Sequence, residues 1–188
     1  MSPPPELDPP YVPDREVFGA FTHQEIWDRV HEALDPSALG RVADSWRRHA
    51  ELLGEAFRVF SDSVNDEFAR WSGHAYEVAW KSTRDFVGRG LALPEVCDTL
   101  QRLMEANAEA AQAIRNALPP PPPPYRPLDD QAAEAVHGGQ RRMAYDLAAA
   151  SALADARDVL TYVYNPTLPA SGDRVPRFAP AQSGGLAQ

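Results

Sequence analysis

Ser72 and His74 come nearest to a nucleophile and its general base, because they flank Gly73 in the run Trp71-Ser72-Gly73-His74-Ala75. A serine hydroxyl becomes nucleophilic when a base takes its proton, a third group orients that base, and a strand-to-helix elbow presents the oxygen. Neither a third partner nor a strand-like segment accompanies this pair, so it does not read as catalytic. The other histidines, His23, His31, His49 and His137, do not recur at the one-turn spacing of metal ligands, and none belongs to a His-Glu-x-x-His pattern. Asp66-Glu67 reads as a solvated helix face and Asp129-Asp130 as a helix cap. Cys97 is the single cysteine and falls on the apolar side of its helix with Val96 and Leu100; an intrachain disulfide is excluded, and a small buried apolar role is expected. These residues lead to the expectation of no enzyme activity, no metal and no cofactor.

The same run has a better use as a turn, because it lies between two long stretches of apolar residues at alternating three- and four-residue steps. The first places Leu39, Val42, Trp46, Ala50, Leu53, Phe57, Phe60, Val64 and Phe68 on one face of a helix. The second places Ala75, Ala79, Ser82 and Phe86, then Val96, Leu100, Leu103, Asn107, Ala111, Ile114 and Leu118. A return of one helix along the other buries both stripes, and Gly73, without a Cβ, suits the reversal. Trp71 is expected to cover the hairpin end, its ring spanning both helices. The expected fold is all-α: a long antiparallel hairpin with a short N-terminal helix, a kinked return arm, and a further C-terminal helix after a polyproline spacer.

Cap signals refine this outline. Thr22 and Glu25 form a capping-box pair and Phe21 can staple onto Ile26, which starts the short helix; Asp35-Pro36 ends it and opens the long one. Gly88, Gly90 and Pro94 predict a break of the return arm into two helices, the second starting near Pro94. Pro119 to Pro124 can only be polyproline II, a semi-rigid spacer of about 3.1 Å per residue that is also the form read by proline-recognising grooves. Asp129 or Asp130 then caps a last helix, which Asn165-Pro166 stops. The resulting organisation is a disordered segment 1–15, the hairpin domain 16–118, the spacer 119–127, the C-terminal helix 128–164 and a disordered tail 165–188.

A net charge of −9, with 27 acidic against 18 basic residues, opposes a phosphate-binding surface and hence nucleic acid as a partner. No apolar run approaches the roughly 18 residues of a membrane-spanning helix, and no basic-then-apolar leader stands at the amino terminus. Neither a membrane span nor an ordinary secretory signal is expected. Amphipathic helices of this length leave apolar surface for a partner, either a second copy or another hairpin protein.

At this point the chain resembles the WxG helical-hairpin substrates of actinobacterial type VII secretion, and among them the PPE-like proteins. The residues carrying the resemblance are a short helix ending at a proline corner (HQEIWDRVHEALDPSAL), Trp46 ten residues beyond Pro36, and the W-x-G-x-A turn Trp71, Gly73 and Ala75. It spans residues 16 to 118. The resemblance implies export as a folded helical pair without a cleaved leader, to the cell surface or medium, with a secretion chaperone or export ATPase among the partners. It also implies a Y-x-x-x-[DE] export signal after the hairpin; Tyr125 to Asp129 matches, although Pro127 inside it forces extended backbone. The chain is less alanine-rich than typical PPE domains, and its second arm is shorter and interrupted. Long apolar stripes alone fit equally a cytosolic coiled-coil-like scaffold or adaptor.

Overall fold

A computed structural model of the protein describes residues 6–178, apart from the side chain of Ala75. The described residues are all-α: helices α1 (His23–Ala33), α2 (Pro36–Phe68), α3 (His74–Ala117), α4 (Gln131–Val159) and α5 (Asn165–Ser171). A π-helical turn, Leu160–Tyr164, joins α4 to α5, and short 3-10 turns cover Phe18–Ala20 and Gly172–Arg174. Extended pairing among the described residues is confined to one antiparallel bridge, Leu7 with Pro176. The chain divides into two compact units, one built on Leu39–Ala106 and the other on Tyr11–Ala38 with Asn107–Gly172.

The first unit holds the antiparallel hairpin of α2 and α3. Its register follows from the side chains that meet. Phe68 packs on Tyr76 and Trp80 with ring centroids 5.8 and 5.3 Å apart, Phe57 and Phe60 meet Phe86 at 5.5 and 5.9 Å, and Pro94 lies over Gly54. Every step toward the start of α2 is matched by a step toward the end of α3. The buried positions of α2 are Ala43 and Ala50, and those of α3 in this unit are Val87, Gly90, Cys97, Leu100 and Leu103. The inward face of α2 therefore runs through Leu39, Ala43, Trp46, Ala50, Leu53, Phe57, Ser61, Val64 and Phe68. Val42 and Phe60, expected on it, stand instead on the flank, 42% and 41% exposed. The correction is one residue at two places: small Ala43 and Ser61 fill the tight seam, and the larger neighbours are turned outward.

The expected break at Gly88 to Pro94 does not separate two helices. α3 continues through Pro94 as one element. Proline lacks the N–H that would bond the carbonyl four residues earlier, and its ring crowds that same carbonyl; here that residue is Gly90, which has no side chain to add to the crowding. The interruption is absorbed within α3, where Phe57 and Gly54 of α2 pack against it.

In the second unit, Phe18, Ile26, Val30, Ile114, Leu118, Ala156 and Leu160 form the core, bringing together α1, the end of α3 and the end of α4. Ile26 and Ile114 are almost wholly buried, each contributing roughly 1.5–3 kcal/mol of transfer free energy. The start of α1 is as anticipated: Thr22 accepts from the Glu25 N–H, and Glu25 accepts from the Thr22 N–H. Arg115 donates to the carbonyls of His31 and Leu34 at the end of α1, at 2.9 and 2.7 Å. Arg157 does the same for Gly19 and Phe21. Asp35 caps α2 through the Ser37 N–H, and of the two candidate caps for α4 it is Asp130 that accepts from Ala132.

Asn165-Pro166 does not stop the chain's last helix. The π turn bonds the Asn165 N–H to the Leu160 carbonyl, five residues back; the wider turn brings Pro166 in at the start of α5, where a missing N–H costs little. Residues 165–178, expected as disordered tail, hold α5, a 3-10 turn and the bridged end. In the second unit, Ser171 of α5 accepts from buried Asn107 of α3 at 2.9 Å. In the first unit, Asp8 N–H donates to the Val175 carbonyl, Arg177 N–H to the Glu6 carbonyl, and Phe178 stacks on Trp46 at 6.4 Å. The same contacts and the Leu7 bridge correct the expected disorder for Glu6 to Asp8.

Candidate partner-binding surface

The turn between α2 and α3 is closed by Gly73, whose φ of 96° lies in the region that L side chains rarely adopt. Its carbonyl accepts from the N–H groups of Tyr76 and Glu77, which starts α3. Trp71 follows the last turn of α2. Its ring lies 5.4 Å from Phe68, its Nε1–H points to Glu67 Oε1 at 3.4 Å, and about half of it, 52%, is exposed. The expectation that Trp71 itself spans both helices is corrected: Phe68 makes the bridge to Tyr76 and Trp80, while Trp71 lies on top of it. A residue beyond the helix end folds back along the helix it follows, leaving its outer face to solvent. Ala75 is in the first turn of α3, and its side chain lies outside the described residues.

Ser72 is exposed, and the His74 ring nitrogen lies 3.6 Å from Glu77, 90% exposed, so its nearest charged neighbour is a carboxylate one turn along its own helix. Among the described residues no three His, Cys, Asp or Glu side chains gather in a way that could hold a metal ion, and no helix is long and apolar enough to cross a membrane. A cavity of about 190 Å³ in the second unit is lined by Phe18, Phe21, Ile26, Val30, Leu160 and Tyr164, among others. It is smaller than the roughly 300–1,000 Å³ of ordinary small-molecule sites. Burial raises the Tyr164 hydroxyl pKa there, with Glu16 adding to the shift.

One flank of the hairpin carries exposed apolar residues. Val42 and Phe60 are eighteen residues apart, five turns of α2, and so share one face. Phe60 meets Phe86 of α3, itself 48% exposed, edge to face. Of the remaining stripe, Leu39, Trp46, Leu53, Phe57, Val64 and Phe68 are half-buried along the seam. In the second unit, Val136, Met143 and Leu147 of α4 stand 65 to 74% exposed at spacings that put them on one helix face.

Tyr125 is held against α4. Its hydroxyl lies 3.0 Å from Glu134 Oε1 and 3.3 Å from the Gly138 carbonyl, and its ring meets Tyr145 edge to face at 5.6 Å. Arg141 and Arg142 sit over the ring. Glu134 also accepts from the Leu128 N–H at 2.8 Å and from Arg141 at 3.2 Å. The Leu128 hydrogen bond, with help from Tyr125 and Arg141, holds the Glu134 carboxyl below the usual glutamate range, whereas desolvation, with Glu134 adding to it, raises the Tyr125 hydroxyl. Asp129 remains exposed in the turn before α4. Sequence reasoning missed Glu134 as the centre of this cluster, because Tyr125 and Leu128 reach it only once the spacer lies against α4; a Cβ at Gly138 would run into its side chain.

No family model, curated protein or solved structure matches this chain.

Proposed function

We propose that this chain is a non-enzymatic helical protein that acts by binding a second helical hairpin, and that it is exported by, or associated with, a type VII secretion system by a route that needs no cleaved signal peptide. One observation carries the reading: a half-exposed Trp71 sits on a positive-φ Gly73 turn at the tip of an antiparallel hairpin. Aromatic side chains left half in water at the end of a rigid element are the anchors that interfaces favour. The Val42, Phe60 and Phe86 flank supplies apolar surface alongside, because the seam is filled by Ala43, Ala50 and Ser61. Such a flank suits a second helix pair laid along the first, as ridges on one pair enter grooves on the other.

Co-expression with the products of its neighbouring genes, one at a time, tests the binding half of this proposal. The expected outcome is a one-to-one complex with another helical-hairpin protein in light scattering that Phe60→Glu with Phe86→Glu dissociates. A chain that elutes as a compact monomer in every one of these co-expressions contradicts it.

A further inference from the structure

The proline run has three faces, and only one of them is occupied. Six consecutive prolines hold the backbone in polyproline II, with three residues per turn. Positions three apart therefore share a face. Pro119, Pro122 and Tyr125 are all half-buried, and Tyr125 is the residue clasped by Glu134, Arg141, Arg142 and Tyr145 of α4. A shallow groove is bordered by Arg141, Ala144 and Tyr145 of α4 and by Pro122 through Arg126 of the rod, so the rod lies along the helix with Tyr125 clasped against it. At the upstream end the Pro119 carbonyl is 2.8 Å from His23 Nε2. The rod is thus fixed at both ends.

The other two faces are the more open to solvent, with Pro123, Pro124 and Arg126 also edging that groove. Pro120, Pro123 and Arg126 are exposed on one of them; on the other, Pro124 and Pro127 are exposed and Pro121 is half-buried. From Pro119 to Pro124 no residue has an N–H to donate, so pairing with a sheet edge is closed to this stretch. Recognition of polyproline II uses a groove lined by aromatic rings, into which two adjacent faces of the ligand dock at P-x-x-P spacing. Pro120 with Pro123, and Pro121 with Pro124, both have that spacing, and neither uses the face given to α4. Arg126 follows two residues after Pro124 and is exposed in a chain of net charge −9. Its charge selects a groove with a carboxylate at its end.

We propose that residues 120–126 are a preformed docking rod for a separate folded domain that has an aromatic-lined polyproline groove flanked by an acidic residue. Packing on α4 holds the ligand extended before it binds, which removes part of the ordering cost of association. The Tyr125 clasp leaves these two faces accessible to solvent. This site is distinct from the hairpin surface and does not depend on the export reading.

The test is a titration of an isotope-labelled SH3 domain, selective for arginine-terminated P-x-x-P peptides, with the full 188-residue chain. The expected result is saturable shifts of the resonances of the aromatic groove, reversed by a proline-rich competitor peptide. Pro121→Ala with Pro124→Ala, and separately Arg126→Glu, weaken the interaction about tenfold or more, the loss expected of anchor residues; Pro122→Ala, on the helix-facing side, changes it less than about twofold. Helical circular dichroism stays unchanged in all variants, since none of these side chains is in a core. Absence of groove shifts at millimolar chain overturns the proposal, as does a loss on Pro122→Ala equal to that of the outer pair.

Discussion

The ring of Phe57 occupies the space that a side chain at Gly90 would need, and one turn further along the hairpin Pro94 lies 3.6 Å from where a Cβ on Gly54 would stand. Each helix thus offers a glycine notch to a bulky residue of the other. Two residues that normally end helices, Gly90 and Pro94, are here points at which α3 meets α2.

Gly90→Ala is accordingly destabilising even though alanine is the better helix former. Overpacking costs about 1–3 kcal/mol, against about 1 kcal/mol of propensity regained. Gly90→Val, which adds β-branching, lowers the thermal midpoint by several degrees, at roughly 2–4 °C per kcal/mol for a chain of this size. Differential scanning calorimetry measures it. Adding Phe57→Ala recovers part of the loss in a double-mutant cycle, because the two side chains then no longer compete for one space; strict additivity contradicts the notch.

The tip of the hairpin separates folding from recognition. Gly73→Val places a β-branched residue at φ of 96° and costs roughly 1–2 kcal/mol in backbone strain. Trp71→Ala removes a ring that is half in water and costs about 1 kcal/mol or less. Chemical denaturation of the two variants gives this ranking; a larger loss for Trp71→Ala means that the indole is part of the core.

Acid loosens the Tyr125 clasp. The Glu134 carboxyl is held below its ordinary value by the Leu128 N–H first and by Tyr125 and Arg141 after it. A lowered folded pKa means that the stabilisation is complete above the unfolded glutamate pKa, about 4.3, and is lost as pH falls through the folded value. The Tyr125 ring resonances, followed by NMR from pH 7 down to about 3, shift toward those of an unrestrained tyrosine. In Glu134→Gln that acid transition disappears. Gly138→Ala disturbs the same resonances at neutral pH, since the added methyl meets the Glu134 side chain.

Cys97 is 1% exposed, and burial, with Asp98 adding to it, raises its thiol pKa. Both effects suppress thiolate chemistry. Labelling by a disulfide reagent at pH 8 is expected to follow the rate of hairpin opening, falling in step with added stabiliser and rising in Gly90→Val. Immediate stoichiometric labelling of the native chain contradicts this placement.

How far the fold was legible depends on what each residue does in isolation. Thr22, Glu25, Asp35 and Pro36 act on their own local backbone, and the short helix and the corner follow from them directly. Periodicity identified both arms, but not the exact seam, because a count of apolar residues prefers Val42 and Phe60 to the small neighbours Ala43 and Ser61 that close packing selects. Gly90 and Pro94 read as a break because their local effect is unfavourable; the compensation comes from Phe57 and Gly54, distant in sequence. The same holds for Asn165-Pro166, where a π turn and the Asn107 to Ser171 hydrogen bond carry the chain onward. Tyr125 was visible as a motif residue, while its partners Glu134 and Arg141 emerged only when the proline rod was laid against α4.

We propose that export of this hairpin depends on Trp71. The most direct measurement is the amount of the chain in the culture medium and cell wall of the native host, compared with a strain lacking the type VII export ATPase, with wild type and Trp71→Ala expressed at equal intracellular levels. The expected result is that the wild-type chain leaves the cell only when the ATPase is present, and that Trp71→Ala stays inside although its helical melting is nearly unchanged. Wild-type chain in equal amounts outside both strains, or confined to the cytosol of both, contradicts it.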